Sequence, residues 1–376
     1  MGQLEKILEK YSGFIYGHSI KLFIGILIFT IFISFGISNI ELESDVMEQM
    51  PQHLPAFKTN DRIENKFSGQ DIVFLLFKLD ENLNVQQTPK DILDPVILEY
   101  IVNLESVFKT ESQIDSINSI APMVEAAKQQ HGELTTESVV QLLENNPQAA
   151  DLVSKDRKKT IVMLMTDVGS SEEEIKSLSR MIEEKLHALS TPPGTKVMIT
   201  GQPPLMNTIL EILVRDAIYT LSIAFLLIYI LLIVIQRSFR RASMVALSLL
   251  LAIIWTGGTL GWLNIKISFA TAGLGAMVLG LGVEYGVFVL SRFREERKKS
   301  GQLDALKNSL PKVGAAIIGS GSTTIIGFLA LTLSIIPMMN NLGTSLAIGI
   351  FYCILSTVAV LPAIIINEER IRGVTE

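Results

Sequence analysis

Within GLGVEYGVFVLSRFREERKK, residues 280–299, the position that could do chemistry is Glu284. A carboxylate inside an apolar, glycine-rich run costs at least ~2.5–3.5 kcal/mol at membrane depth, so such a residue is kept for a task. It can take up and release a proton, or ligate Na⁺ with nearby hydroxyls. Gly273, Met277, Gly280 and Glu284 recur at helical spacing with Ala276 beside them. A stripe so small lets a neighbouring backbone approach closely, which points the acid at protein rather than lipid. Tyr285 is turned about 100° from Glu284 on a helix, away from its own neighbour and toward a different partner. The competing structural reading is a buried hydrogen bond from Glu284 that only fixes helix packing.

A second polar set lies in GSGSTT, residues 319–324. Ser320, Ser322, Thr323 and Thr324 can bond back to their own helix, or line the interior that holds Glu284, with Ser322 and Thr323 as hydrating groups. The stretch lacks the lysine of a phosphate loop and sits among apolar residues, which excludes ATP. His131 and His187 have no second ligand at coordinating distance in sequence, and the single cysteine, Cys353, excludes an intrachain disulfide framework. No metal, cofactor or catalytic nucleophile is implied.

These residues must be positioned by membrane-spanning helices. The chain has 376 residues, 48% hydrophobic and only 19% charged, with a mean hydropathy of +0.40. A soluble protein carries roughly 25% charge. Six segments reach the roughly 20 apolar residues a bilayer requires, near 20–38, 216–236, 243–263, 267–291, 313–335 and 342–365. The first is too long and too late for a signal peptide, so it is expected to stay. Before it, Leu4, Ile7 and Leu8 share one face, which predicts a cytoplasmic amphipathic helix over 1–18 lying at the membrane surface.

Arg237, Arg240, Arg241, Arg292, Arg294, Arg297, Lys298, Lys299, Lys307, Lys312, Arg370 and Arg372 all fall on one side of the six spans. The positive-inside rule makes that side cytoplasmic, with both termini there and a large domain outside the cell membrane. Residues 41–211 hold 28 acidic and 15 basic residues, net −13, and the remainder is net +7. That distribution does not suit nucleic acid.

The outside region, 41–212, reads as strand 71–80, helix 89–108 with Ile92, Val96, Leu98 and Ile101 apolar, and strand 113–120. A second set follows: strand 158–168, a helix capped by Ser170 and Ser171 with acids in its first turn, and strand 195–201. Two β-α-β sets predict a ferredoxin-like α+β domain with a helical insertion at about 121–156. The fold class is therefore an α-helical membrane protein of six transmembrane helices with this extracytoplasmic domain; residues 213–368 complete the bundle and 369–376 form a tail.

GLGVEYGVFVLSRFREE resembles the fourth-span signature of the resistance-nodulation-division superfamily, in its MMPL-type, hydrophobe/amphiphile efflux branch. ESDVMEQMPQHLPAFKTNDRIENKFSG resembles the lead into that family's first porter subdomain, and TGQPPLMNTILEILVRD its return to the second span. The family acid is usually Asp where this chain has Glu284, and most members carry two six-span halves. The resemblance implies a transporter driven by the proton gradient that exports lipids, hydrophobes or amphiphiles. It also implies self-association, as a dimer or a trimer, with Glu284 and Tyr285 of one copy facing Tyr285 and Glu284 of the next as the proton relay. A six-span sensor or a protein-export accessory subunit is the alternative from another class. An enzyme is not expected.

Overall fold

The computed structural model describes residues 2–43, 49–51, 53–64, 71–80, 89–132, 134–166 and 172–373. In chain order the elements are α1 (Gln3–Ser34), α2 (Pro55–Glu64), β1 (Asp71–Leu79), α3 (Pro95–Phe108), β2 (Ile114–Asn118), α4 (Ala121–His131), α5 (Thr136–Glu144), α6 (Pro147–Ala150), β3 (Lys159–Thr166), α7 (Glu172–Ala188) and β4 (Thr195–Gly201). Then come α8 (Gln202–Gln236), α9 (Phe239–Trp262), α10 (Leu274–Arg297), α11 (Gln302–Ala330), α12 (Pro337–Leu355) and α13 (Leu361–Ile371), with a π-helical turn at Ser356–Val360. The chain divides into one unit of Met1–Pro51 with Ile212–Glu376, and another of Gln52–Glu211.

In the second unit β1 alternates, burying Val73, Leu75, Phe77 and Leu79 on one face. They share a core with Ile97, Ile101, Leu104 and Phe108 of α3 and Ile175, Leu178 and Ile182 of α7. All strand pairs are antiparallel and the order is β2-β3-β1-β4. That order arises when each of two β-α-β sets leaves a gap that a strand of the other fills. The helical segment between β2 and β3 is α4, α5 and α6. α3 begins at Pro95 rather than near 89, because the Asp94 side chain accepts from the Val96 amide and caps the helix there. Val96 consequently lies in the first turn and is exposed, not part of the apolar face. The Ser170 and Ser171 cap expected for α7, and positions 44–48, 52 and 65–69 of the 43–69 stretch, lie outside the described residues.

Gly201, between β4 and α8, has φ +123° and no room for a side chain, since a Cβ would meet the Ile72 carbonyl. Only glycine meets both conditions.

In the first unit, six helices among the described residues are long and apolar enough to cross a membrane: Gln3–Asn39, Gln202–Gln236, Phe239–Trp262, Leu274–Arg297, Gln302–Leu333 and Pro337–Ile371. α9 and the α12–α13 segment occupy the interior, whereas α1 and α8 show rows of exposed Ile, Leu and Phe, as lipid-facing helices do. Hydroxyls and rings cross between helices: Trp255 Nε1 donates to Thr30 Oγ1 at 2.9 Å, and the Thr259 and Tyr352 hydroxyls meet at 2.8 Å.

Two boundaries differ from the sequence expectation. The amphipathic lead-in is continuous with the first span, with non-helical dihedrals only at His18. Its Leu8, Ser12, Ile15 and Ser19 are buried in the bundle, Leu8 against Gly314 of α11. Arg370 donates to Ser19 Oγ at 3.0 Å and lies over the Tyr16 ring, tying this segment to α13. Of the expected stripe, Leu8 meets protein, while Leu4 and Ile7 stay exposed. The fourth span starts at Leu274, because 267–273 is used otherwise: Ile267 bridges Leu42 in parallel, and Lys266 pairs with Glu43 at 2.8 Å.

The tightest packing is backbone on backbone. A Cβ at Gly36 would overlap the Gly258 carbonyl, one at Gly258 the Ile33 carbonyl, and one at Gly261 the Gly36 carbonyl. Adjacent Gly257 faces only Ile37, 3.9 Å away. Gly258→Ala is expected to cost about 1–3 kcal/mol and lower the thermal midpoint of detergent-solubilised protein, followed by tryptophan fluorescence. Gly257→Ala should leave it unchanged or raise it; equal midpoints for the two variants would refute the contact.

Candidate functional site

α10 has helix-compatible residues throughout, and its glycines are used on one side. A Cβ at Gly282 would lie 2.5 Å from Cys353 Sγ and 3.1 Å from Leu249 Cδ2, and one at Gly286 2.6 Å from Val245 Cγ1. These contacts press α10 against α9 and α12 and fix its rotation. Two residues along a helix is about 200°, so Glu284 points nearly opposite to Gly282. It is exposed in the single chain, with Met277, Gly280, Leu281 and Phe288 exposed around it. Glu284 makes no hydrogen bond or ion pair among the described residues.

The stripe expected to seat a neighbouring backbone is thus uncovered. Gly280 has nothing within 4 Å of a would-be Cβ, and Gly273 is the N-cap residue of α10 rather than part of its packed face. The expectation that Glu284 faces protein fails within one chain. The glycines that do pack, Gly282 and Gly286, lie on the other side of the same segment.

Tyr285 goes inward. It is 3% exposed, its hydroxyl lies 3.5 Å from where a Gly321 Cβ would be, and it reaches the Thr324 side chain of α11. The hydroxyl is therefore not presented on the open face, where the sequence placed it opposite an acid of another copy. The hydroxyls of α11 mostly close on their own helix: Thr323 and Thr324 donate to the Ser320 carbonyl at 2.6 and 3.2 Å. Ser320 and Thr323 are exposed, while Ser322 and Thr324 are partly buried. Of the four, only Ser320 lines the same cavity as Glu284.

That cavity, about 590 Å³, runs as a groove between α10 and α11. Glu284, Phe288, Ser291, Arg292 and Glu295 line one wall and Lys312, Ala316 and Ser320 the other. Glu284 stands about 15 Å along the helix from Leu274, near its middle, and the groove follows roughly 16 Å of rise from there to Glu295. Apolar at the acid, it becomes polar toward the helix end, where Arg292 pairs with Glu295 at 2.9 Å and Glu296 at 2.7 Å. The arrangement can bring water and protons to a carboxylate at mid-helix from the basic end. Lys312 was not singled out as part of this site, because only the antiparallel pairing of α10 and α11 brings it to the groove.

Glu284 and Tyr285, adjacent in sequence, should behave oppositely on truncation. Glu284→Leu is expected to shift the stability of the isolated chain by no more than about 0.5 kcal/mol. Tyr285→Ala should cost about 3 kcal/mol by emptying a buried site. Thermal unfolding in detergent separates them, and a destabilised Glu284→Leu would contradict the open face.

Known proteins are similar to this chain in sequence or in fold. The model of the MMPL family matches residues 110–370. MJ1562 of Methanocaldococcus jannaschii is 31% identical over 373 residues, 98% of this chain and 95% of that one. The siderophore exporter MmpL5 of Mycobacterium tuberculosis is 23% identical over 223 residues, 58% of this chain and 23% of the exporter. The hedgehog release protein Disp of the water bear Hypsibius dujardini shares the fold, with a TM-score of 0.63 at 12% identity over 96% of this chain. This chain spans 48% of Disp and only 23% of the exporter.

Proposed function

The chain belongs to the MMPL family of membrane proteins, and from that membership we propose that it is a proton-driven secondary transporter exporting lipids or other hydrophobic or amphiphilic compounds. The observation that carries this reading is Glu284: a carboxylate at mid-helix, exposed on the single chain and opening into a groove that leads to the basic end. Relatives whose names state export and release favour cargo movement over a purely structural role.

In this reading the basic end faces the cytoplasm with both termini, and residues 41–212 form a porter-like domain outside. A second copy covers the face of Met277, Gly280 and Glu284, which is exposed on the single chain. An ionised acid favours the watered groove, and a neutral one tolerates a dry contact with the other copy. Proton uptake and release then shift α10 between two arrangements, the kind of bistable element transport requires. Tyr285 acts as a positioning residue here, holding the rotation of α10 through Thr324. Ser320 hydrates the acid in preference to Ser322 and Thr323.

Purified protein in liposomes with an imposed pH gradient, and rhodamine 6G as amphiphilic probe, tests the coupling. Glu284→Gln should reduce gradient-driven dye movement roughly to the level of empty liposomes, while Glu284→Asp keeps part of it. Wild-type rates and pH dependence in the glutamine variant would end the mechanism; dependence on Na⁺ at constant pH would reassign the coupling ion.

The contact between copies has a separate readout. In a Cys353→Ser background, Gly280→Cys should form a disulfide-linked pair on mild oxidation in membranes, since close helix crossing brings Cα atoms within about 4.4–6.8 Å. A species that stays monomeric would remove the two-copy arrangement.

A further inference from the structure

At the basic end of the bundle, the start of α9, the end of α10 and α13 enclose a cavity of about 690 Å³ that is separate from the Glu284 groove. Its charges do not balance. Arg297 is paired with Glu369 at 3.1 Å and Arg372 with Glu368 at 3.3 Å. Arg240, Arg241, Arg294 and Lys298 also line it and have no acidic partner among the described residues. Arg241 and Arg294 lie close enough for their charges to act on each other, and the Nε of Arg241 is buried with no hydrogen-bond acceptor. Arg241 also donates from Nη2 to the Arg237 carbonyl at 3.2 Å, but no acid lies between the two guanidinium groups among the described residues, and an anion placed there would offset their repulsion.

The first turn of α9 adds to the same field. Its N-cap, Ser238, makes no side-chain capping bond, and Ser238, Phe239, Arg240 and Arg241 all line the cavity. The leading amides of a 24-residue helix are therefore available to an acceptor. Guanidinium groups match phosphate oxygens in paired, in-plane contacts.

The remaining wall decides which anion. Met244, Leu290 and Phe293 supply an apolar floor, and the cavity is far larger than inorganic phosphate needs. A ligand with a phosphate at one end and hydrocarbon at the other satisfies both halves. We propose that this cavity is a binding site for an anionic phospholipid from the adjoining leaflet, its phosphate between Arg241 and Arg294 and its upper chain carbons on Met244 and Phe293. The site joins α9 to α10 and α13, so its occupant would clamp the end of the helix that carries Glu284.

Native mass spectrometry of the full chain in a neutral detergent provides the test, with phosphatidylglycerol and phosphatidylcholine as probes. Phosphatidylglycerol is expected to be retained preferentially, and Arg241→Gln with Arg294→Gln to weaken that retention about tenfold or more. Arg241→Lys with Arg294→Lys should keep the preference for the anionic lipid. Equal retention of the two lipids by wild-type protein overturns the proposal, and this comparison stands even if the glutamine pair does not fold. Unchanged retention in a folded glutamine pair overturns it as well. Displacement of the lipid by an equal concentration of inorganic phosphate at constant ionic strength would show a soluble-anion site instead.

Discussion

The rotation of α10 about its own axis is the constraint from which the rest of the membrane unit follows. It is set by Gly282 against Cys353 and Leu249 and by Gly286 against Val245, where no side chain fits. Dispersion between closely approaching helices, rather than a hydrophobic drive, holds such contacts in lipid. With that side sealed, Glu284 can only lie on the opposite side, and Tyr285 can only enter the niche by Gly321. Where the acid stands is thus decided by residues that carry no chemistry.

Much of this was legible in the sequence. Six spans follow from apolar length, and the two β-α-β sets from alternation and capping, with β4 at its expected bounds because a period of two leaves little choice. The facing of Glu284 was not legible. Gly280 and Gly282 are two residues apart and equally small, and composition cannot tell which of two opposed glycines meets a neighbour. The beginning of α10 was hidden for another reason: Ile267, Ser268 and Phe269 are apolar enough to extend a span, yet Ile267 bridges Leu42 outside any helix. The amphipathic lead-in was read correctly as a helix, but its pattern is the same whether it meets lipid or the Gly314 face of α11. The cavity between Arg241 and Arg294 was invisible, since the two arginines are far apart in sequence and were counted only as markers of a side.

The two units of the chain obey different solvents. In Gln52–Glu211 apolar side chains turn inward onto one core, as in β1 and α3. In the membrane unit the apolar stretches of α1 and α8 expose Ile, Leu and Phe like those of the core, and order comes from small residues and crossing hydroxyls. A substitution acceptable in one setting therefore carries no guarantee in the other. An exposed leucine is ordinary on α8, whereas an exposed carboxylate is ordinary on α7 and at the polar end of α10 but exceptional at the middle of α10.

Glu284 and Tyr285 are joined by one peptide bond yet point about 100° apart, the acid to the open face and the phenol into the bundle. Any twist of α10 that carried the acid inward would have to lever the phenol out of its seat beside Thr324, unplugging the space over Gly321 as it went. The two side chains are consequently geared together, and the load on one is felt by the other with no intervening residue to absorb it.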